Sequence, residues 1–136
     1  MSKIAVVYWS GTGNTEAMAN SVVAGAKEKG AEVDLFTVSD FSKDMVANYD
    51  AFAFGCPSMG SEVLEESEFQ PMWDEIQDDL ASKKAVLFGS YGWGDGEWMR
   101  NWEESASCEI IDTFICNDAP DADADAACVA LGEKLV

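Results

Sequence analysis

Residues 10–15 read Ser-Gly-Thr-Gly-Asn-Thr: three hydroxyls, one amide, two glycines and no Lys or Arg. Such a set suits phosphate. Hydroxyl, amide and backbone N–H groups donate to its oxygens, and the N-terminus of a following helix supplies further attraction. The spacing excludes two better-known phosphate loops. GxxxxGK[ST] fails because no Lys follows, and GxGxxG/A fails because Glu16 stands where the third glycine belongs. Two more glycine-bearing loops accompany it. Residues 55–61 read Gly-Cys-Pro-Ser-Met-Gly-Ser and lead into Glu62. Here Met59 offers a soft apolar contact, Gly60 tolerates backbone conformations other residues resist, and Glu62 offers an acceptor. Residues 89–96 set Tyr91 and Trp93 among four glycines. Large aromatics in such a loop are expected at the surface, open to a flat ligand, rather than in the core. The plainer alternatives are a capped helix start for the first loop and packing of Trp93 on Trp98 for the third. Taken together, the three loops imply a phosphorylated molecule with a flat ring.

The elements that carry these loops alternate. Apolar runs at 4–8, 51–54 and 85–88 predict strands buried on both faces, and 33–38 and 110–116 predict two more. Between them, Ala19, Val22, Val23 and Ala26 recur at helical spacing, with Lys27, Lys29 and Gly30 as a stop. Residues 41–48 predict a short helix or turn. Phe69, Met72, Trp73, Ile76 and Leu80 mark another helix, with Pro71 tolerated in its first turn. Trp98, Met99, Trp102 and Ala106 mark a further one. A last helix buries Ala124, Cys128, Leu131 and Leu135, and the aspartates at its start suit the helix dipole. Five strands alternating with helices imply an α/β doubly wound parallel sheet with helices on both faces, formed as one domain over residues 1–136. Ligands of such sheets bind beyond the carboxyl ends of the strands, the edge from which all three loops emerge.

Composition narrows the class. With 26 acidic residues against eight basic ones and a net charge of −18, the surface suits neither nucleic acid nor anionic lipid. Histidine is absent, which removes the commonest general base and metal ligand. Cys56, Cys108, Cys116 and Cys128 form no CxxC pair, so each is expected to be a small buried residue, with no metal site. The apolar run at 4–9 is too short for a membrane span and leads into a glycine loop. A cytoplasmic location follows as the expectation.

In its motifs the chain resembles flavodoxin, specifically the short-chain group of anaerobic bacteria. "SGTGNTE", "MGSE" and "GSYGWGDGEWM" are similar to the family's three flavin-binding loops and occur in the same order. The resemblance implies a flavodoxin-like sheet with strand order 2-1-3-4-5 and FMN as non-covalent cofactor. It assigns the phosphate to Ser10, Gly11, Thr12, Gly13, Asn14 and Thr15. It assigns the ring to Pro57, Ser58, Met59, Gly60, Ser61 and Glu62 on one side and to Ser90, Tyr91, Gly92, Trp93 and Gly94 on the other. Trp93 would stack on one face of the flavin, Met59 would cover the other, and Glu62 would accept from the ring N3–H. Ser58 and Asn117 would reach the ribityl chain. A peptide turn at Met59–Gly60 would offer a carbonyl to N5. Pro57-Ser58 departs from the family pattern and would stiffen the approach to Met59 without removing binding.

The implied function is that of a low-potential one-electron carrier rather than an enzyme. It would shuttle electrons between redox proteins, cycle mainly between semiquinone and hydroquinone, and work as a monomer. Its partners would be ferredoxin-type reductases and oxidoreductases with basic faces. They would be steered by Glu62, Glu65, Glu66, Glu68, Asp74, Glu75, Asp78 and Asp79, a stretch without Lys or Arg. Two rivals fit less well. A flavin-dependent reductase needs residues for a second substrate, and none remain unassigned. A receiver domain needs acidic residues after the first strand and an Asp after the third, where "WSGTG" and "GCPS" stand.

Overall fold

The computed structural model describes residues 3–11, 13–59, 63–92 and 94–136, and structural statements concern these. Strands β1 (Lys3–Tyr8), β2 (Glu32–Thr37), β3 (Ala51–Gly55), β4 (Lys84–Tyr91) and β5 (Glu109–Asn117) alternate with helices α1 (Asn14–Glu28), α2 (Phe69–Leu80), α3 (Glu97–Ser105) and α4 (Ala122–Lys134). All neighbouring strands run parallel, in the order β2-β1-β3-β4-β5. Period-two alternation sends β1 side chains to two cores. Ala5 and Val7 join Phe52, Phe54, Trp73 and Trp102 beneath α2 and α3. Ile4, Val6 and Tyr8 join Val22, Ala26, Cys128 and Leu131 beneath α1 and α4. Every residue of β3 is buried, as expected for a strand with a helical layer on each face.

Several boundaries differ from expectation. Residues 38–48 hold two 3₁₀ turns, Val38–Asp40 and Lys43–Asn48, so Val38 leaves the strand early. Ala106 lies just past α3, in extended backbone. Strand β4 continues through Gly89 and Ser90 to Tyr91, residues read above as loop. It continues because Gly89, Ser90 and Tyr91 stay paired with Ile115, Cys116 and Asn117 of β5. Gly89 is required there, since a Cβ would stand 2.2 Å from the Cys56 carbonyl oxygen. Of the cysteines, Cys56, Cys108 and Cys128 are buried, whereas Cys116 is half-buried.

Helices α1 and α4 cross at backbone contact. A Cβ on Gly25 would lie 2.0 Å from the Val129 carbonyl oxygen, and one on Gly132 would lie 2.0 Å from that of Val22. The two contacts are reciprocal and set the spacing of the layer that holds α1 against the sheet.

Candidate functional site

The strand ends place three loops side by side at the β1/β3 switch point. Backbone hydrogen bonds extend the sheet past its formal ends: Trp9 N–H to Gly55 O (3.0 Å), Cys56 N–H to Phe88 O (3.1 Å), Ser58 N–H to Ser90 O (3.0 Å) and Asp118 N–H to Tyr91 O (2.8 Å). A cleft of about 270 Å³ opens at this edge. Eight of the predicted residues line it: Gly11, Asn14, Pro57, Ser58, Met59, Ser90, Tyr91 and Gly92. Thr12, Gly60, Ser61, Glu62 and Trp93 lie outside the described residues.

At the predicted phosphate end, Gly13 opens α1 with φ 93°, a conformation that favours glycine, and among the described residues no side chain caps the helix. The first turn of a helix has amides without intrahelical acceptors. One amide, that of Gly13, donates to Ser10 Oγ at 3.0 Å. Thr15 is 1% exposed, and its Oγ1 has no hydrogen-bond partner among the described residues. A buried hydroxyl without a partner costs stability unless something supplies one. An FMN phosphate supplies an acceptor, and the uncapped helix start favours its charge, so the residues present fit the group. Glu16 also sits in this turn and accepts from the Tyr8 hydroxyl at 2.8 Å. Burial, then the hydrogen bond and charge of Glu16, raise the Tyr8 pKa above its ordinary 10.0, so the phenol stays a donor.

The middle loop is clamped at its base. Met59 N–H donates to Val63 O (2.9 Å) and Val63 N–H to Met59 O (3.1 Å), an antiparallel pair enclosing residues 60–62. The Met59 carbonyl is therefore already engaged by Val63, so the expected peptide turn at Met59–Gly60 would have to break that bond. Below this pair, Glu65 N–H donates to the fully buried Cys56 thiol at 3.4 Å. Burial pushes that thiol up to about 12, so it acts as a packing group and not as a nucleophile.

Glu65 does not belong with the solvated acids of its stretch. It is 7% exposed, and its carboxylate accepts from the amides of Ser67 (2.9 Å), Glu68 (2.7 Å) and Phe69 (2.9 Å) at the entry to α2. Burial alone would raise its pKa, but the donors at Phe69, Glu68 and Ser67 outweigh it and hold the carboxyl below its ordinary 4.5. A depressed folded pKa stabilises the protein above the unfolded value, and this contribution is lost as pH falls through the folded one. Glu65→Gln should thus cost about 1–3 kcal/mol at neutral pH. The gap from the parent should shrink as pH drops below 4.5. Urea unfolding across that range measures it, and a gap independent of pH would contradict this assignment.

On the third loop, Tyr91 is half-buried rather than exposed, because its ring packs on Trp98 at 5.6 Å between centroids. Gly94 and Asn117 do not line the cleft. Gly94 turns the loop at φ 90°, and Asn117 Nδ2 ties the ends of β4 and β5 by donating to Tyr91 O (3.3 Å). Two lining residues went unread in the sequence, Trp9 and Asp118. Trp9 sits beside the phosphate loop, where an aromatic is itself a signal. Asp118 takes φ 56°, which Asp tolerates better than most residues, and nothing in the sequence marks it.

Charge divides across the molecule. Lys3 and Lys84 begin strands, Lys83 precedes one, and Lys27, Lys29 and Lys134 stand at helix ends. Lys43 bonds to Glu75 O and Asp79 on the last turns of α2. Seven of the eight cations thus occupy the edge opposite the cleft. Arg100, the eighth, is bonded to Asp95 at 3.1 Å. Helix α2 runs away from the cleft, so Asp78 and Asp79 also belong to the far edge, whereas Glu66, Glu68, Asp118, Asp123 and Asp125 stand at the near one.

Comparison with known proteins agrees with this geometry. The family model described as Flavodoxin matches residues 6–134. The flavodoxin of Clostridium beijerinckii is 47% identical over 134 residues, covering 96% of both chains. That of Megasphaera elsdenii is 47% identical over 133 residues, also covering 96% of each. The solution structure of two-electron reduced Megasphaera elsdenii flavodoxin superposes with a TM-score of 0.88 over 96% of each chain. Flavodoxins are themselves the standard instance of FMN held at the β1/β3 switch point of a 2-1-3-4-5 sheet, the position and strand order found here. With the loops, the cleft and the sheet in agreement over nearly the whole length, the chain belongs to the flavodoxin family, electron-transfer flavoproteins whose cofactor is FMN.

Proposed function

We propose that this flavodoxin is a low-potential one-electron carrier, one domain over residues 1–136, that works as a cytoplasmic monomer and cycles mainly between the semiquinone and hydroquinone forms of FMN. The observation that carries this reading is the distribution of charge. Among the described residues no Lys or Arg lines the cleft, Asp118 does, and seven of eight cations lie at the opposite edge. FMN, when bound, supplies the redox chemistry. The chain's part is to hold the phosphate without neutralising it and to keep carboxylates near the ring. That disfavours each added negative charge and lowers the potential. Among the described residues no helix is long and apolar enough to cross a membrane.

The same distribution turns the cleft toward a basic redox partner. Air-free reductive titration of the FMN-loaded protein should show two separated one-electron steps, the second at low potential. A single two-electron step, or failure to take up FMN, would overturn the reading. Association with a cationic redox protein should slow as salt rises. Neutralising Glu66 and Asp123 should slow it more than neutralising Glu28 and Asp78 at the far edge. Equal effects from the two sets would remove the steering argument.

A further inference from the structure

Trp9 stands between two clefts. It lines the cofactor cleft on one side and, on the other, a polar cleft of about 220 Å³ that holds Tyr8, Ser10, Glu16, Thr37, Ser39 and Glu68. Its backbone is fixed at the switch point by the bond to Gly55 O. Its ring lies under the phosphate loop, where a Cβ on Gly11 would meet Cη2 at 3.1 Å and Cζ3 at 3.4 Å. One specific bond orients the indole plane: Nε1–H donates to Glu68 Oε1 at 3.1 Å, across 59 residues of sequence. Glu68 is itself held, since its amide donates to the buried Glu65 carboxylate at 2.7 Å and its carbonyl accepts from Met72 N–H at 3.3 Å.

We propose that Glu68 is a positioning residue for the cofactor site, acting through Trp9. By fixing the indole it fixes the wall against which Gly11 and the phosphate loop rest, and it couples the entry of α2 to the β1–α1 loop. The proposal rests on the FMN reading of the cleft. Its physical content is the acceptor oxygen of Glu68 and not the negative charge. A carboxylate near an anionic ligand would on charge alone weaken binding, so charge and hydrogen bond predict opposite signs.

The test uses E68Q, E68A and W9F in the full chain. In ¹⁵N-labelled cofactor-free protein, the Trp9 indole signal, assigned by its loss in W9F, should stay in place in E68Q and move toward the solvent-exposed position in E68A. Titrated with FMN by quenching of flavin fluorescence, E68A should bind about three- to tenfold more weakly than the parent, the scale of one lost partly exposed charged hydrogen bond. E68Q, whose amide oxygen still accepts, should bind as the parent does or more tightly. In a W9F background the E68A penalty should vanish. Equal affinities for E68Q and E68A, a penalty that persists in W9F, or an unmoved indole signal in E68A would each overturn the proposal. If the chain took up no FMN the proposed function would fail, while the indole signal would still report whether Glu68 orients Trp9.

Discussion

Thr15→Val is expected to stabilise the cofactor-free protein and to weaken FMN binding at the same time. Thr15 Oγ1 is buried without a partner, so in the empty protein the hydroxyl carries a desolvation cost and returns nothing. Valine has nearly the same shape and removes that cost, for a gain of about 1 kcal/mol in urea unfolding. In the loaded protein the same hydroxyl would donate to a phosphate oxygen. Hydrogen bonds to charged groups are worth about 1.5–3 kcal/mol, so the Kd for FMN should rise about ten- to a hundredfold. Thr15→Ser should keep most of the affinity. A loss of stability without FMN, or an unchanged Kd, would show that the hydroxyl is satisfied inside the protein and is not aimed at the ligand.

The second large effect lies at the α1–α4 crossing. Gly25→Ala or Gly132→Ala puts a methyl group 2.0 Å from a backbone carbonyl oxygen on the facing helix. Neither backbone can yield by rotating a side chain, so the helices must separate. Overpacking of this kind costs about 1–3 kcal/mol and more where backbone must move, against a helix-propensity gain of at most about 1 kcal/mol. A net loss of about 2 kcal/mol or more is expected, enough to lower Tm by roughly 5–10 °C. Once one alanine has opened the gap, the second meets less resistance, so the double variant should lose less than the two losses added together. Thermal unfolding of the three variants measures this. Additive losses, or none, would mean that the crossing adjusts without strain.

How much of this was legible beforehand differs from element to element. The buried strands were readable because β1 and β3 are continuous apolar runs, and α2 because Phe69, Met72, Trp73, Ile76 and Leu80 recur on one face and are all buried. The extension of β4 was not readable. "GSYG" has loop composition, and only its pairing with β5 makes it a strand. Glu65 was indistinguishable by type from its exposed neighbours, because what separates it is the set of three amides that converge on its carboxylate. The acidic stretch was visible as a run, but a run has no direction. Helix α2 carries half of it away from the cleft, while the aspartates that open α4, counted as helix-start residues, stand beside it. Trp9 was readable as an aromatic beside the first glycine loop, whereas Asp118 reaches the cleft through backbone geometry that no spacing rule encodes.

The reciprocal glycines also bear on the order in which the site can be assembled during synthesis. Helix α1 carries the predicted phosphate loop at its start, yet the face running from Val22 to Ala26 packs against α4, whose contact residues Val129 and Gly132 are made about a hundred residues later. Until those residues emerge, the part of the α1 apolar face that α4 covers lies open to water. A nascent chain that has not yet reached α4 is therefore expected to hold FMN less firmly than one that has.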